Sequence, residues 1–213
     1  MNTPADPRQL APATQRNREP ILDVLLNVLP PTGTILEIAS GTGEHAVYFA
    51  PFLQPRQWLP SDPNPQLRAS IAAWSEDFKS DNLYPPIELD AQMPVWPVEK
   101  ERFTNLPITA IVNINMIHIS PWASCLGLMA GAGRILPVGG ILYLYGPYKE
   151  DGEHTSPSNA AFDESLQAQN PEWGVRNLED VIKAAKSENL VLRKTYQMPA
   201  NNLSVIFERV NGD

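Results

Sequence analysis

At 213 residues the chain has the length of one ordinary domain, and 43% hydrophobic against 19% charged residues is a globular composition, not a disordered one. A formal charge of −8, with 16 Lys and Arg against 24 Asp and Glu and no basic cluster, argues against nucleic acid or an anionic membrane surface as partners. The single cysteine, Cys125, excludes an internal disulfide, and no apolar stretch approaches the roughly 20 residues that span a bilayer.

The chain begins with a polar, proline-containing lead, Met1 to Pro12. Apolar residues then recur at helical spacing (Ile21, Leu22, Leu25, Leu26, Leu29), with Pro20 suited to a first turn and Pro30 to Gly33 closing the helix. Thr34 to Ala39 is a short apolar run before a glycine turn and predicts a buried strand. A helix over His45 to Leu53, a strand over Gln57 to Ser61 and a turn at Asp62 to Pro65 follow. That turn opens a helix from Gln66 to Phe78. Pro86 to Leu89 predicts a short strand, and the β-branched run Ile108 to Ile114 a central one. Pro121 to Leu136 predicts a helix that takes in Cys125 as a small buried hydrophobe. Ile141 to Tyr145 is the next strand, followed by the longest loop, Gly146 to Ser158. Asn177 is placed to cap a helix through Asn189. Val191 to Met198 and Leu203 to Val210 must pair antiparallel, because the four residues between them cannot make a parallel crossover. Five strands alternating with helices and closed by this hairpin predict an α/β, doubly wound, mostly parallel sheet of seven strands. Residues 1–213 read as one domain, in which 1–33 form a segment and helix over the ligand side of the sheet.

Gly41 and Gly43 sit between the first strand and the next helix, where a missing Cβ permits positive φ and lets a ligand approach the backbone. Gly41 to Ala46 satisfies G-x-G-x-x-A, the dinucleotide fingerprint, and Asp62 about twenty residues on supplies a carboxylate for ribose hydroxyls. Glu37 is different. A carboxylate in the last residues of a buried strand needs a partner, and it would repel a pyrophosphate.

Glu37-x-Ala39-x-Gly41-x-Gly43 resembles the first motif of class I S-adenosylmethionine-dependent methyltransferases, with Ala39 standing at the first glycine. The match extends through Thr14 to Leu22, Ser61 to Pro63, Asn115 to Ser120, Gly146 to Tyr148, Ser158 to Leu166 and Asn170 to Gly174. Over nearly the whole chain it resembles the methyltransferase-like protein 26 family. The resemblance implies a Rossmann-like fold, S-adenosylmethionine as cofactor, and cofactor contacts from Glu37, Ala39, Ser40, Gly41, Gly43, His45, Asp62 and Pro63. It also implies Asp90 and Ala91 at the adenine, and Asn115 and Met116 at the methyl-donor pocket. Arg16 and Asn17, expected just ahead of the first helix, are placed to cover the cofactor, with Arg16 able to meet a carboxylate.

Acceptor-side candidates are Asn115, His118 and Ser120 from one strand end and Tyr145 and Tyr148 from another, with His118 and Tyr148 as the candidate catalytic pair. Phe162 and Trp173 can wall a substrate or pack the loop and helix. Asp151, Glu153 and His154 share a polar loop without metal-ligand spacing, and no metal is expected. The expected protein is a cytoplasmic methyltransferase acting on a small molecule, as a monomer or homodimer, with no nucleic acid or membrane partner. A nicotinamide-dependent oxidoreductase remains open, and would carry a parallel sixth strand in place of the hairpin. So does a binding module that holds the cofactor without catalysis.

Overall fold

The computed structural model describes residues 6–212; Met1 to Ala5 of the polar lead, and Asp213, lie outside them. Helix α1 spans Pro12–Val28. Then follow β1 (Thr34–Ile38), α2 (Glu44–Phe52), β2 (Gln57–Pro60), α3 (Pro65–Asp77), β3 (Ile108–Ile114), α4 (Trp122–Ile135) and β4 (Ile141–Gly146). The small pair β5 (Lys149–Glu150) and β6 (Glu153–His154) leads to α5 (Pro157–Gln169), α6 (Leu178–Ser187), β7 (Leu190–Met198) and β8 (Asn202–Arg209).

The main sheet has six strands in the order β2-β1-β3-β4-β8-β7. β2, β1, β3 and β4 run parallel, whereas β8 is antiparallel to β4 and to β7. The terminal hairpin is therefore antiparallel, as the short connection requires. The expected seventh strand at Pro86 to Leu89 is a correction. The chain does run beside β2: the Trp58 amide bonds Asn82, Tyr84 bonds Trp58, Ile87 bonds Pro60 and Asp62 bonds Ile87. Yet only two isolated bridges form, Trp58 with Leu83 and Ser61 with Ile87. Pro85 and Pro86 on one side and Pro60 on the other have no N–H to give, so the ladder is broken in its middle.

Three further differences matter for the site. α1 begins at Pro12, eight residues before the expected first turn, and carries Pro20 in its interior. Thr14 and Asn17 are buried ahead of Pro20 and Ile21, Leu22 and Leu25 after it, so continuous packing offsets the roughly 3 kcal/mol that an internal proline costs. Arg16 and Asn17 consequently lie within the helix. α5 occupies a stretch with no helix expected, although Ser156 then Pro157 is a cap-and-first-turn pair, and the Ser156 hydroxyl accepts the Asn159 amide at 3.2 Å. Asn177 precedes α6 as expected but caps nothing with its side chain, which accepts the Gly152 amide instead.

Each face of the sheet has its own core. Ile35, Trp58, Val112, Tyr143 and Ile206 pack under α1 and α2. Leu36, Ile38, Ile111, Leu142 and Phe207 pack under α4 and α6. Cys125 of α4 is fully buried, and burial pushes its thiol up to about 12, the behaviour of a small hydrophobe. α4 also presses on the segment after Leu89. A Cβ on Gly127 would lie 2.3 Å from the Ala91 carbonyl oxygen, and one on Gly131 2.0 Å from the Trp96 ring. Gly131→Ala is expected to cost about 1–3 kcal/mol by overpacking, read as a lower urea midpoint at unchanged m-value.

Candidate functional site

The turn after β1 is held open by conformation and tied down by bonds. Ala39, Gly41 and Gly43 have φ of 55°, 59° and 93°, all in the left-handed region. A Cβ on Gly43 would come within 2.7 Å of the Ile71 backbone in α3, whereas one on Gly41 would meet nothing within 4 Å. Gly43 is thus required by the fold, and Gly41 borders open space. Ser40 fastens this turn to the tip of β2: its amide donates to the Ser61 carbonyl at 2.8 Å, and its hydroxyl accepts the Ser61 amide at 3.1 Å. The Ser61 hydroxyl returns to the Glu37 carbonyl at 2.6 Å.

Asp62 is only 3% exposed. One carboxylate oxygen accepts the Gly41 amide at 3.0 Å and the other the Asn64 amide at 2.9 Å, and Arg68 donates to its carbonyl. Burial raises its pKa against the pull of these bonds. Asn64 caps α3 by accepting the Gln66 amide at 2.8 Å, so Asp62 is free of the capping role. A carboxylate oxygen keeps acceptor capacity beyond one amide, which suits adjacent ribose hydroxyls.

The sheet divides the remaining candidates. On the α4 side, Ile38, Ala39, Pro63, Leu89, Asp90, Ala91, Met116, Ile119 and Trp173 line a cavity of about 230 Å³. Its walls are apolar with a few polar edges: Asp90, Gln92, Ser120 and Ser124. Asp90 accepts the Gln92 amide, and Gln92 donates onward to the Ser124 hydroxyl at 2.9 Å. Gln92 and Ser124 carried no sequence signal; a Gln in a loop and a Ser in a helix are ordinary residues until the chain folds.

On the α2 side, Glu37 is 2% exposed and accepts the Trp58 indole N–H at 3.0 Å. Burial lifts its carboxyl from an ordinary 4.5 to about 7, against the hydrogen bonds of Trp58 and Ser40. Above it His45 Nε2 bonds the buried Asn17 side-chain oxygen at 2.8 Å, joining the first turn of α2 to α1. Arg16, also in α1, is exposed and faces a shallow hollow with Gln15 and Glu44, apart from Asn17.

Asn115 ends β3 with φ of 63°, its amide bonding the Tyr145 carbonyl. The candidate catalytic pair lies behind this rim. His118 is 0% and Tyr148 1% exposed, and the two rings meet edge-on with centroids 5.0 Å apart. Neither lines the cavity. His118 Nδ1 accepts the Arg176 amide at 3.2 Å, and its carbonyl accepts the Gly174 amide. Burial first, then the Arg176 charge, push the ring's pKa down to about 3, so it is neutral. Among the described residues, His118 Nε2 and the Tyr148 hydroxyl find no hydrogen-bond partner in this enclosed position. Arg176, which no sequence pattern marked, holds the cavity wall: it donates to the Ile117, Ser120 and Glu172 carbonyls. Phe162 remains partly exposed on α5, and His154 Nε2 lies 3.2 Å from the buried Asp163 carboxylate.

Two outcomes follow from the turn. Ala39→Gly should stabilise the fold by about 1 kcal/mol, because a Cβ at positive φ is strained and glycine is not; chemical denaturation reads it directly. Unfolded, the Glu37 carboxyl loses its proton near 4.5; folded, it keeps it to about 7. Its stability contribution is therefore complete below pH 4.5 and declines as pH rises through 7. Glu37→Gln should remove that decline and gain about 2 kcal/mol on the native chain between pH 5 and pH 8, followed by melting at each pH.

Solved structures share this architecture. An O-methyltransferase family 2 protein from Planctomyces limnophilus, in complex with apigenin, is 19% identical with a TM-score of 0.76, over 93% of this chain and 58% of that one. An O-methyltransferase family protein from Burkholderia thailandensis matches at 14% identity and TM-score 0.76, over 94% and 58%. Human N-acetylserotonin methyltransferase, in complex with S-adenosylmethionine, matches at 12% identity and TM-score 0.72, over 93% and 53%. The chain thus has the fold of these methyltransferases and spans little more than half of their length. A family model described as "Protein of unknown function (DUF938)" matches residues 8–209, and the chain belongs to that family.

Proposed function

We propose that the chain is a single-domain, S-adenosylmethionine-dependent methyltransferase that acts on a small molecule. The observation that carries this is one turn with two enclosed carboxylates, Glu37 before it and Asp62 after it, around the open space at Gly41. When bound, the cofactor supplies an activated methyl group. The residues present fit it. Asp62 would take ribose hydroxyls, while in the cavity lined by Pro63 the Asp90 carboxylate and the Leu89–Ala91 backbone would meet an adenine edge and Met116 would form the apolar wall. Ser40, Gly41 and Gly43 supply backbone at the turn, and Pro63 closes the cavity beyond Asp62. Glu37 would pair with the cofactor's α-amino group, its carboxyl brought to about 7 by burial. Asn115 stands at the donor rim, with Asn17 and His45 bridging α1 to the turn. Arg16, on the exposed side of α1, remains a candidate for an acceptor's acid group. His118 would act from the enclosed layer behind the rim, shaping it through its bond to the Arg176 amide, with the Tyr148 ring edge-on against it.

A methyl transfer needs the acceptor aligned on the donor at close range, which a largely apolar cavity with a few polar edges would provide. Isothermal titration with S-adenosylmethionine and S-adenosylhomocysteine tests the cofactor. Micromolar binding of both is expected, and Asp62→Ala should weaken it by about 1–3 kcal/mol. No binding of either at millimolar concentration would sink the reading, and NADH in the same titration tests the nicotinamide alternative.

A further inference from the structure

A second cavity, of about 660 Å³, lies between α4 and α6 and shares no lining residue with the one at Met116. That volume suits a small organic molecule. Trp122 and Leu126 of α4 and Ala184 of α6 give it an apolar wall, on which Leu126 is exposed. Its cations are Lys149, Arg176 and Lys183, and among the described lining residues its acid is Asp180. The three cations differ in what compensates them. Lys149 Nζ lies 2.7 Å from the buried Asp163 carboxylate, so its charge is matched. Among the described residues, Arg176 and Lys183 have no carboxylate at ion-pair distance. The half-buried Arg176 guanidinium donates instead to the Ile117, Ser120 and Glu172 carbonyls. These bonds use Nε and one terminal nitrogen, and leave the other terminal nitrogen without a protein acceptor among the described residues. The same guanidinium stands 5.8 Å from the centre of the Trp122 ring. Burial pulls its pKa down, as it does for a charge enclosed without a close counter-ion. Asp180 lies in the first turn of α6, where the positive end of the helix already favours a carboxylate. A chain of net charge −8 thus gathers an excess of positive charge beside an aromatic wall.

We propose that this cavity binds a planar organic acid, its ring system against Trp122 and Leu126 and its carboxylate held by Arg176 and Lys183. The site is separate from the proposed cofactor cavity and needs no part of that reading. A carboxylate offers acceptor oxygens to the unused terminal nitrogen of Arg176 and to the Lys183 ammonium, and such charge-assisted bonds are stronger than those to a neutral acceptor. A flat ring removes the exposed apolar wall from water and stacks on the indole. A neutral ring would cover the same wall but leave the guanidinium without a counter-ion. A small anion without a ring would leave the wall exposed. The two halves of the cavity therefore select for a molecule that carries both.

The test titrates 2-naphthoate and its uncharged counterpart 2-naphthamide into the native chain by calorimetry. Sub-millimolar binding of 2-naphthoate is expected, with 2-naphthamide about tenfold weaker, near 1.4 kcal/mol. Trp122→Leu keeps an apolar side chain but removes the ring, and should weaken 2-naphthoate roughly fivefold. Lys183→Gln should weaken it roughly threefold, whereas Lys186→Gln, at an exposed lysine of α6 outside the cavity, should leave it unchanged. No binding of 2-naphthoate at millimolar concentration overturns the proposal, as does equal affinity for the amide, which would mark an apolar patch alone. Equal effects of Lys183→Gln and Lys186→Gln overturn it too, since they would mean attraction by general surface charge or binding elsewhere. Should Trp122→Leu not fold, the comparison of the two lysine variants decides.

Discussion

The hydrogen bond from the Gly41 amide to Asp62 is the constraint on which the rest of the site depends. It joins the tips of two parallel strands beyond the end of their ladder, one residue past the Ser40–Ser61 bonds that fasten the same tips. To make it, the chain puts three residues of five into left-handed backbone and encloses a carboxylate. Both choices cost free energy: strained non-glycine backbone about 1–3 kcal/mol, and burial the loss of carboxylate hydration. Ser40 and Ser61 offset part of it with two mutual bonds and a third from the Ser61 hydroxyl to the Glu37 carbonyl. A merely structural turn would use none of this, and two glycines would suffice. Strain and buried carboxylates concentrated at one turn are what supports the proposed cofactor site there.

What the residues alone disclosed follows the range of the forces involved. β3 was legible because Ile108 to Ile114 is β-branched and apolar, and a central strand is buried on both faces. The hairpin was legible because a four-residue connection permits one geometry. Glu37, Gly41, Gly43 and Asp62 were legible because charge and missing Cβ atoms are local properties. The seventh strand failed for an equally local reason that was present in the residues: three prolines facing one another across the pair. α1 was misjudged because Pro20 is a stop signal in isolation, and only tertiary packing of Thr14 and Asn17 carries the helix through it. The enclosure of His118 and Tyr148 could not be read at all, since it is set by α5 and the Gly174 to Arg176 loop, far along the chain.

That later part of the chain shapes the cavity mainly through backbone. Trp173 lies on its wall, while Arg176 grips the carbonyls of Ile117 and Ser120 on either side of the exposed Ile119. The loop bearing both is anchored by Asp163, which is 3% exposed and accepts from Lys149, Gln167 and the Val175 amide. These bonds hold its carboxyl below the ordinary range despite burial. One buried carboxylate thus secures the small hairpin, α5 and the cavity wall together. Carbonyls and amides exist at every residue, so such a wall leaves no motif.

The charge state of the rim narrows the chemistry it can support. His45 and His118 are neutral down to about pH 3, and burial raises Tyr143, Tyr145 and Tyr148, so none of them is ionised at neutrality. Among the described side chains around the turn, Glu37 is the one that burial brings to about 7. Its carboxylate faces the Trp58 indole on the α2 side of the sheet, away from the Met116 wall where the proposed transfer would be aligned. Neutral histidine and tyrosine can orient an acceptor by hydrogen bonds but are weak proton acceptors at these pKa values. An acceptor for the proposed transfer would be one that is already nucleophilic, or that sheds its proton to solvent, and catalysis there would rest on alignment more than on a base.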